Sequence, residues 1–301
     1  MKPFLRIAAA ALLCLSTLPA HAVLNVMACE PEWADLAARL GAQRVSVSSA
    51  TTGAQDPHHI EARPSLIART RNADLLVCTG MELEAAWLPA LVAQSGNARV
   101  APGRPGWFEA GAFVTPLEVP AQVDRAHGDV HAQGNPHVHL DPRNVARVAE
   151  ALARRLAELD PAGADGYKAR HQAFAAQWAD AQRRWQAQAA PLKGVAIVEH
   201  HRSLSYLLAW LGMHREATLE PKPGIEPSAA HLNALLKGLQ QRPVRLVTHM
   251  TFQDGRAAQW LGQQARVPVV VLPLSVGGTP EAKDLFSLYD DILARLLAAV
   301  R

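Results

Sequence analysis

Cysteine is scarce in this 301-residue chain, with three residues, and aromatic residues make up only 5%. So few cysteines exclude a disulfide-stapled mini-scaffold and cannot supply a four-thiolate zinc site. Charge of one sign is lacking too: 30 Lys and Arg stand against 27 Asp and Glu, a formal net charge of +3. No general basic field exists to hold a phosphate backbone, so nucleic acid is not an expected partner. Beyond the N-terminal segment, no run of about 18 apolar residues is free of charge, and no membrane-spanning helix is expected there. Disorder is excluded by the balance of 49% hydrophobic to 19% charged residues, enough apolar material for one or two packed cores. What the chain has in quantity is histidine, 13 residues, the side chain that most often holds transition metals near neutral pH.

Residues 1–22 begin with Lys2 and Arg6, run through apolar Ile7 to Leu13 and end at Ala20-His21-Ala22. A basic start, a short apolar run and small residues at a cut point read as a secretory signal peptide cleaved after Ala22. The apolar run falls short of the roughly 20 residues that a membrane anchor needs. Cys14 follows Leu13 rather than a small residue, which argues against lipid attachment. Removing 22 of 301 residues leaves an expected mature chain of 279, soluble in a bacterial periplasm. That compartment is oxidising. Cys29 and Cys78, each ending an expected strand, are there either a disulfide or two buried thiols, and spacing leaves both readings open.

Short β-rich runs alternate with helical stretches. Strands are expected at 24–29, 45–47 and 73–78, with helices at 31–40, 65–71 and 82–94; Ser65, after Pro64, reads as a helix N-cap. A second series has strands at 195–199, 244–248 and 267–272 and helices at 203–211, 228–240, 256–265 and 282–300. Such alternation argues for α/β architecture with mainly parallel sheets. Between the series lie a helix at 144–159, the breaker Asp160-Pro161, and a helix over about 162–190. Phe174, Trp178, Ala181 and Trp185 recur there every three to four residues as a core-packing stripe. The expected division is an N-terminal α/β domain over 23–160, a linker helix over 161–190 and a C-terminal α/β domain over 191–301. Segments 104–111 and 118–136, rich in Gly, Pro and His, read as mobile loops.

Three histidines fall where strands end and loops from two halves can meet in a crevice. His58 lies in Asp56-Pro57-His58-His59, His137 in Asn135-Pro136-His137-Val138-His139, and His201 in Glu199-His200-His201-Arg202-Ser203. The prolines before His58 and His137 stiffen both loops. Residue counting leaves two readings open, one shared metal site or several solvated loop histidines.

The order of motifs goes further. Asp-Pro-His-His-Ile-Glu-Ala-Arg-Pro-Ser (56–65), Asn-Ala-Asp-Leu-Leu-Val-Cys-Thr-Gly-Met-Glu-Leu-Glu (72–84) and Asn-Pro-His-Val-His-Leu-Asp-Pro (135–142), with His201 five positions before Tyr206, closely resemble the zinc- and manganese-binding periplasmic components of ABC importers. The resemblance covers essentially the whole mature chain. It implies two α/β domains joined by a rigid interdomain helix, with the metal in the cleft and His58, His137 and His201 as its ligands. It also implies a membrane permease as partner, zinc as cargo, a monomer and no catalytic residues. Three imidazoles suit Zn²⁺, whereas Mn²⁺ members replace one by a carboxylate.

Relatives that place an acid on the metal from the last loop differ from this chain, whose Leu272-Pro273-Leu274-Ser275-Val276-Gly277-Gly278 has none. The fourth position is expected to hold water, ahead of Ser275 or His249. His200 should point to the opposite strand face, and His59 and His139 should lie behind the ligands or in solvent. His127, Asp129 and His131 stand where zinc members carry a His-rich insertion, and are read as ordinary solvated sequence ahead of a weak zinc-collecting loop. Rival functions are a zinc chaperone or adhesin of the same fold, and a metal-dependent amidohydrolase, suggested by His137-Val138-His139.

Overall fold

The computed structural model describes residues 23–122 and 131–301. The expected signal peptide over residues 1–22, with Cys14, and the positions of His127 and Asp129 lie outside the described residues.

Two four-stranded parallel sheets form the frame. In the N-terminal half, β1 (Leu24–Ala28), β2 (Val45–Ser49), β3 (Leu75–Cys78) and β4 (Trp107–Glu109) take the order β2-β1-β3-β4. The C-terminal half repeats it with β5 (Ala196–Glu199), β6 (His214–Thr218), β7 (Leu246–Met250) and β8 (Val269–Leu272) in the order β6-β5-β7-β8. β3 reads as a continuous apolar run because helices cover both faces, and β3 and β7 are buried along their whole length. In each half the strand order reverses beside the first strand, so the loops leaving the carboxyl ends open a crevice there. The two crevices face each other. A Cβ added to Gly53, in the loop after β2, would lie 2.2 Å from the Gly278 backbone nitrogen, so only glycine allows these loops to approach so closely.

Helices α1 (Pro31–Gly41), α2 (Pro64–Asn72) and α3 (Leu88–Ser95) serve the first half. The second has α6 (Ser205–Leu211), α7 (Ala229–Leu239), α8 (Arg256–Ala265) and α9 (Leu285–Val300). Between them run α4 (Pro142–Leu159) and α5 (Ala164–Gln188). The 25 residues of α5 span about 37 Å, and its expected stripe is buried: Phe174, Trp178, Ala181 and Trp185 face inward. Trp178 packs edge-on against Trp185, Phe286 and Tyr289, with ring centroids 4.8–5.5 Å apart. One apolar core thereby runs from β1 and α1 through α4 and α5 into α6 and α9, so the halves share packed material as well as a connecting helix.

Several local expectations need correction. Ser65 is not an N-cap: α2 begins at Pro64, which takes the first helical position because its missing N–H has no partner to find there, and Arg63 is the cap. Helix is expected over 82–94, but residues 81–87 form turns and α3 starts only at Leu88. The carboxylate of Glu84 accepts the Thr79 and Gly80 amides, and Met81 and Glu82 adopt positive φ, which no helix tolerates. Segment 104–111 contains β4, a three-residue edge strand. The polar β6, His-Arg-Glu-Ala-Thr, carries no apolar alternation and forms because it pairs along β5. The described parts of 118–136 are tied down through Glu118 and Asn135.

Cys29 and Cys78 form a disulfide between the ends of β1 and β3. It closes a loop of sequence separation 49. Restricting an unfolded loop of that length stabilises the fold by about 4 kcal/mol. A Cys29→Ser/Cys78→Ser double variant should therefore unfold at a lower urea concentration than the oxidised parent, while dithiothreitol should shift only the parent's midpoint.

Candidate metal centre

Three loop histidines meet between the halves. His58 comes from the loop between β2 and α2, His137 from the approach to α4, and His201 from the turn after β5. Their ring centroids are 5.6 Å (His58–His137), 5.4 Å (His58–His201) and 5.8 Å (His137–His201) apart. One nitrogen of each lies within 4.8 Å of the other two. A zinc ion bound tetrahedrally at about 2.0–2.1 Å would set its nitrogens about 3.4 Å apart, so the rings need only draw inward. The three expected site residues are thus brought together.

Each ring is held by its other nitrogen. His58 Nδ1 is 2.7 Å from Asp56 Oδ1, His137 Nδ1 is 3.0 Å from Asn135 Oδ1, and His201 Nδ1 is 2.7 Å from Glu220 Oε2. A proton on Nδ1 directed at these oxygens leaves the Nε2 lone pair free for a cation. The Nε2 atoms of His58 and His137 are buried without a hydrogen-bond partner. Leaving such groups unpaired costs about 1–3 kcal/mol each, a cost that a bound cation removes.

The same local chemistry builds the first two arms. Asp56 and Asn135 each stand two residues before their histidine across a proline, and each side-chain oxygen also accepts that histidine's backbone N–H. This is an Asx turn with Pro at its centre. Asn135 turns its amide nitrogen across the cleft to the Arg202 carbonyl (2.7 Å) and Ser205 Oγ (3.1 Å), which ties the His137 loop to the His201 turn. Glu199 completes that turn by accepting the Leu204 N–H and pairing with Arg215. Burial, opposed by Arg215, raises the Glu199 pKa to about 7.

Electrostatics differ along the cluster. Burial, reinforced by the neighbouring rings of His58 and His201, pushes the His137 pKa well below its ordinary value. For His201 burial acts downward, but the Glu220 carboxylate more than offsets it and the net shift is upward. Asp56 is raised by burial, yet its hydrogen bonds from His58 dominate and hold it at about 2. His201 is therefore where a proton competes with a cation. Its protonated form is favoured more than that of an ordinary histidine, so metal affinity should fall as pH falls through the histidine titration range. Calorimetric zinc titration should give about tenfold or weaker binding at pH 5.5 than at pH 7.5, and Glu220→Ala should move the onset to lower pH. Equal affinity at both pH values contradicts the imidazole site.

Other histidines take other places. His139 faces away from the cluster: its Nε2 lies 2.8 Å from the Leu274 carbonyl and its Nδ1 3.2 Å from Glu32 Oε1. His137 and His139 therefore do not share an ion, and the two open sheets form no barrel, which removes the basis of the amidohydrolase reading. Ser275, a candidate fourth ligand, donates to Glu32 instead. His249 Nδ1 pairs with the Met250 carbonyl, and His249 is outside the cluster. His59 is exposed, and His200 is buried outside the cluster. His131 departs most from expectation. It is not ordinary solvated sequence, because its ring lies 5.4 Å from that of His58 with a buried Nε2. Burial, with the neighbouring His58 and His201, lowers its pKa to about 4.

Of the residues not singled out from sequence, Asp56 and Asn135 carried a signal in the repeated Asx-Pro-His pattern. Glu220 carried none, because it follows the unrecognised strand β6.

Comparison with known proteins agrees with this geometry. The zinc-uptake complex component A periplasmic family matches residues 26–299. The metal ABC transporter substrate-binding lipoprotein ScbA of Streptococcus cristatus is 28% identical over 53% of this chain and 49% of its own length. The high-affinity zinc uptake system protein ZnuA of Yersinia pestis is 26% identical over 60% of each chain. The manganese ABC transporter substrate-binding lipoprotein PsaA of Streptococcus pneumoniae is 22% identical over 78% of this chain and 74% of its own. The chain thus spans about half to three-fifths of the first two relatives. A crystal structure of ZnuA superposes with TM-score 0.77 at 23% identity, covering 93% of this chain and 100% of that one. A cadmium-bound periplasmic metal-binding protein from Candidatus Liberibacter asiaticus gives 0.76 at 16% identity, covering 92% and 100%. At such identities the superpositions establish the fold, and the match over residues 26–299 establishes the rest: the chain belongs to the periplasmic zinc-uptake complex component A family.

Proposed function

We propose that the mature chain is the periplasmic substrate-binding component of an ABC metal importer, capturing Zn²⁺ at His58, His137 and His201 and handing it to a membrane permease. The observation that carries this reading is the convergence of three imidazoles from both halves, each oriented by its Nδ1 partner. Residues 1–22 supply the export signal, cleaved after Ala22. No described helix is long and apolar enough to cross a membrane. The chain acts as a monomer without catalysis, built as domains over 23–160 and 191–301 with a linker helix over 161–190.

Zinc is favoured over manganese because the gathered donors are nitrogens. Zn²⁺ accepts imidazole readily in four-coordinate geometry, whereas Mn²⁺ prefers carboxylate and water oxygens and stands lowest in the ordinary affinity order. The shared core limits how far the halves can separate, so capture rests on ordering of the ligand loops rather than on wide closure. Competition titration of the purified mature chain should show zinc binding at least about 1,000-fold tighter than manganese. Equal affinities overturn the choice of zinc.

A further inference from the structure

The three converging histidines leave the fourth position of a tetrahedral site to be filled, and the last loop supplies nothing: Ser275 is committed to Glu32 and the Leu274 carbonyl to His139. The geometry points to His131 as the fourth nitrogen ligand, making the site a cage of four imidazoles. This inference rests on the proposed metal-capture reading.

Three independent features support it. First, His131 stands just outside the triangle of the other ligands, beside His58, with its ring inclined by only 30° to that ring. Second, its Nε2 is buried without a partner, as are those of His58 and His137, and His131 lines the same cavity as His137 and His201. Third, the backbone beside His131 is anchored, with Ala132 N–H donating to Glu82 Oε2 at 2.6 Å.

Glu82 is itself set for this task. It sits at φ 68° after Met81 at φ 54° and Gly80 at φ 73°, a left-handed run that non-glycine residues enter at a cost and keep only where surroundings enforce it. Glu84 enforces it by accepting the Thr79 and Gly80 amides at 2.7 and 3.1 Å. The strained turn thus fixes the backbone next to His131 at the edge of the site.

The chemical consequence is selectivity. Four neutral imidazoles leave the net charge of the ion uncompensated by any ligand and offer no oxygen, an arrangement suited to zinc and poor for manganese.

Long-range ¹H–¹⁵N correlation on uniformly labelled mature protein tests this, because metal-bound Nε2 moves to a distinct shift. With one equivalent of zinc, four histidine Nε2 signals should move. His131→Ala should lose one of the four and bind zinc about 10- to 100-fold more weakly, with an unchanged melting temperature in the metal-free form. His131→Asp should narrow the zinc-to-manganese affinity ratio. Three moving signals in the parent, with that of His131 stationary and unaltered affinity in His131→Ala, overturn the fourth ligand and leave the three-histidine site standing. No moving signal from His58, His137 or His201 overturns the metal-capture reading itself.

Discussion

Replacing any one of His58, His137 and His201 by alanine is expected to weaken zinc binding by about 100- to 1,000-fold. Structural zinc sites bind with about 10–16 kcal/mol, and division among three or four ligands gives each roughly 3–4 kcal/mol, or two to three decades in affinity. Water entering the vacated position recovers part of this, so the lower end applies where solvent reaches the site most easily. His201, only partly buried, should suffer least, and His137, 1% exposed, most. The exposed His214, at the start of β6, provides the control: His214→Ala should bind zinc like the parent. Calorimetry with a competing chelator measures all four. A ligand variant with parental affinity contradicts its assignment.

Trp178→Ala should produce the largest loss of stability among single substitutions in the long helix, about 4 kcal/mol. The indole is 1% exposed, packs edge-on against Trp185, Phe286 and Tyr289 and donates its N–H to the Pro142 carbonyl at 2.8 Å. Truncation removes its transfer free energy and leaves a cavity lined by α5 and α9, while the Pro142 carbonyl loses one donor. The melting temperature should fall by about 10 °C. Zinc should restore part of it, since a ligand that binds only the folded state stabilises it by mass action. A fall of only one or two degrees would show that the halves do not depend on this shared core.

The fold was legible in sequence wherever burial imposed a pattern. The run that became β3 is covered on both faces and reads as an unbroken apolar stretch, and the stripe of α5 repeats at helical spacing. What escaped was structure stabilised by partners distant in sequence. Polar β6 exists because β5 offers it a backbone ladder, and the turns at 81–87 override helical propensity through the carboxylate of Glu84. The candidate site divides in the same way. His58 and His137 advertise themselves in Asx-Pro-His, where each histidine's orienting oxygen lies two residues away. His201 depends on Glu220, 19 residues further on, and the backbone beside His131 on the side chain of Glu82, so neither environment has a local signature. Reading 118–136 as solvated loop followed its composition, and composition cannot reveal that Glu118 and Asn135 bridge to Ser205 and Arg202 across the cleft.

The most direct test is a crystal of the mature chain grown with one equivalent of zinc and measured on both sides of the zinc absorption edge. A single anomalous peak about 2.0–2.1 Å from the Nε2 atoms of His58, His137 and His201 is the predicted result. A peak elsewhere, or none between these three rings at full zinc occupancy of the protein in solution, would contradict it.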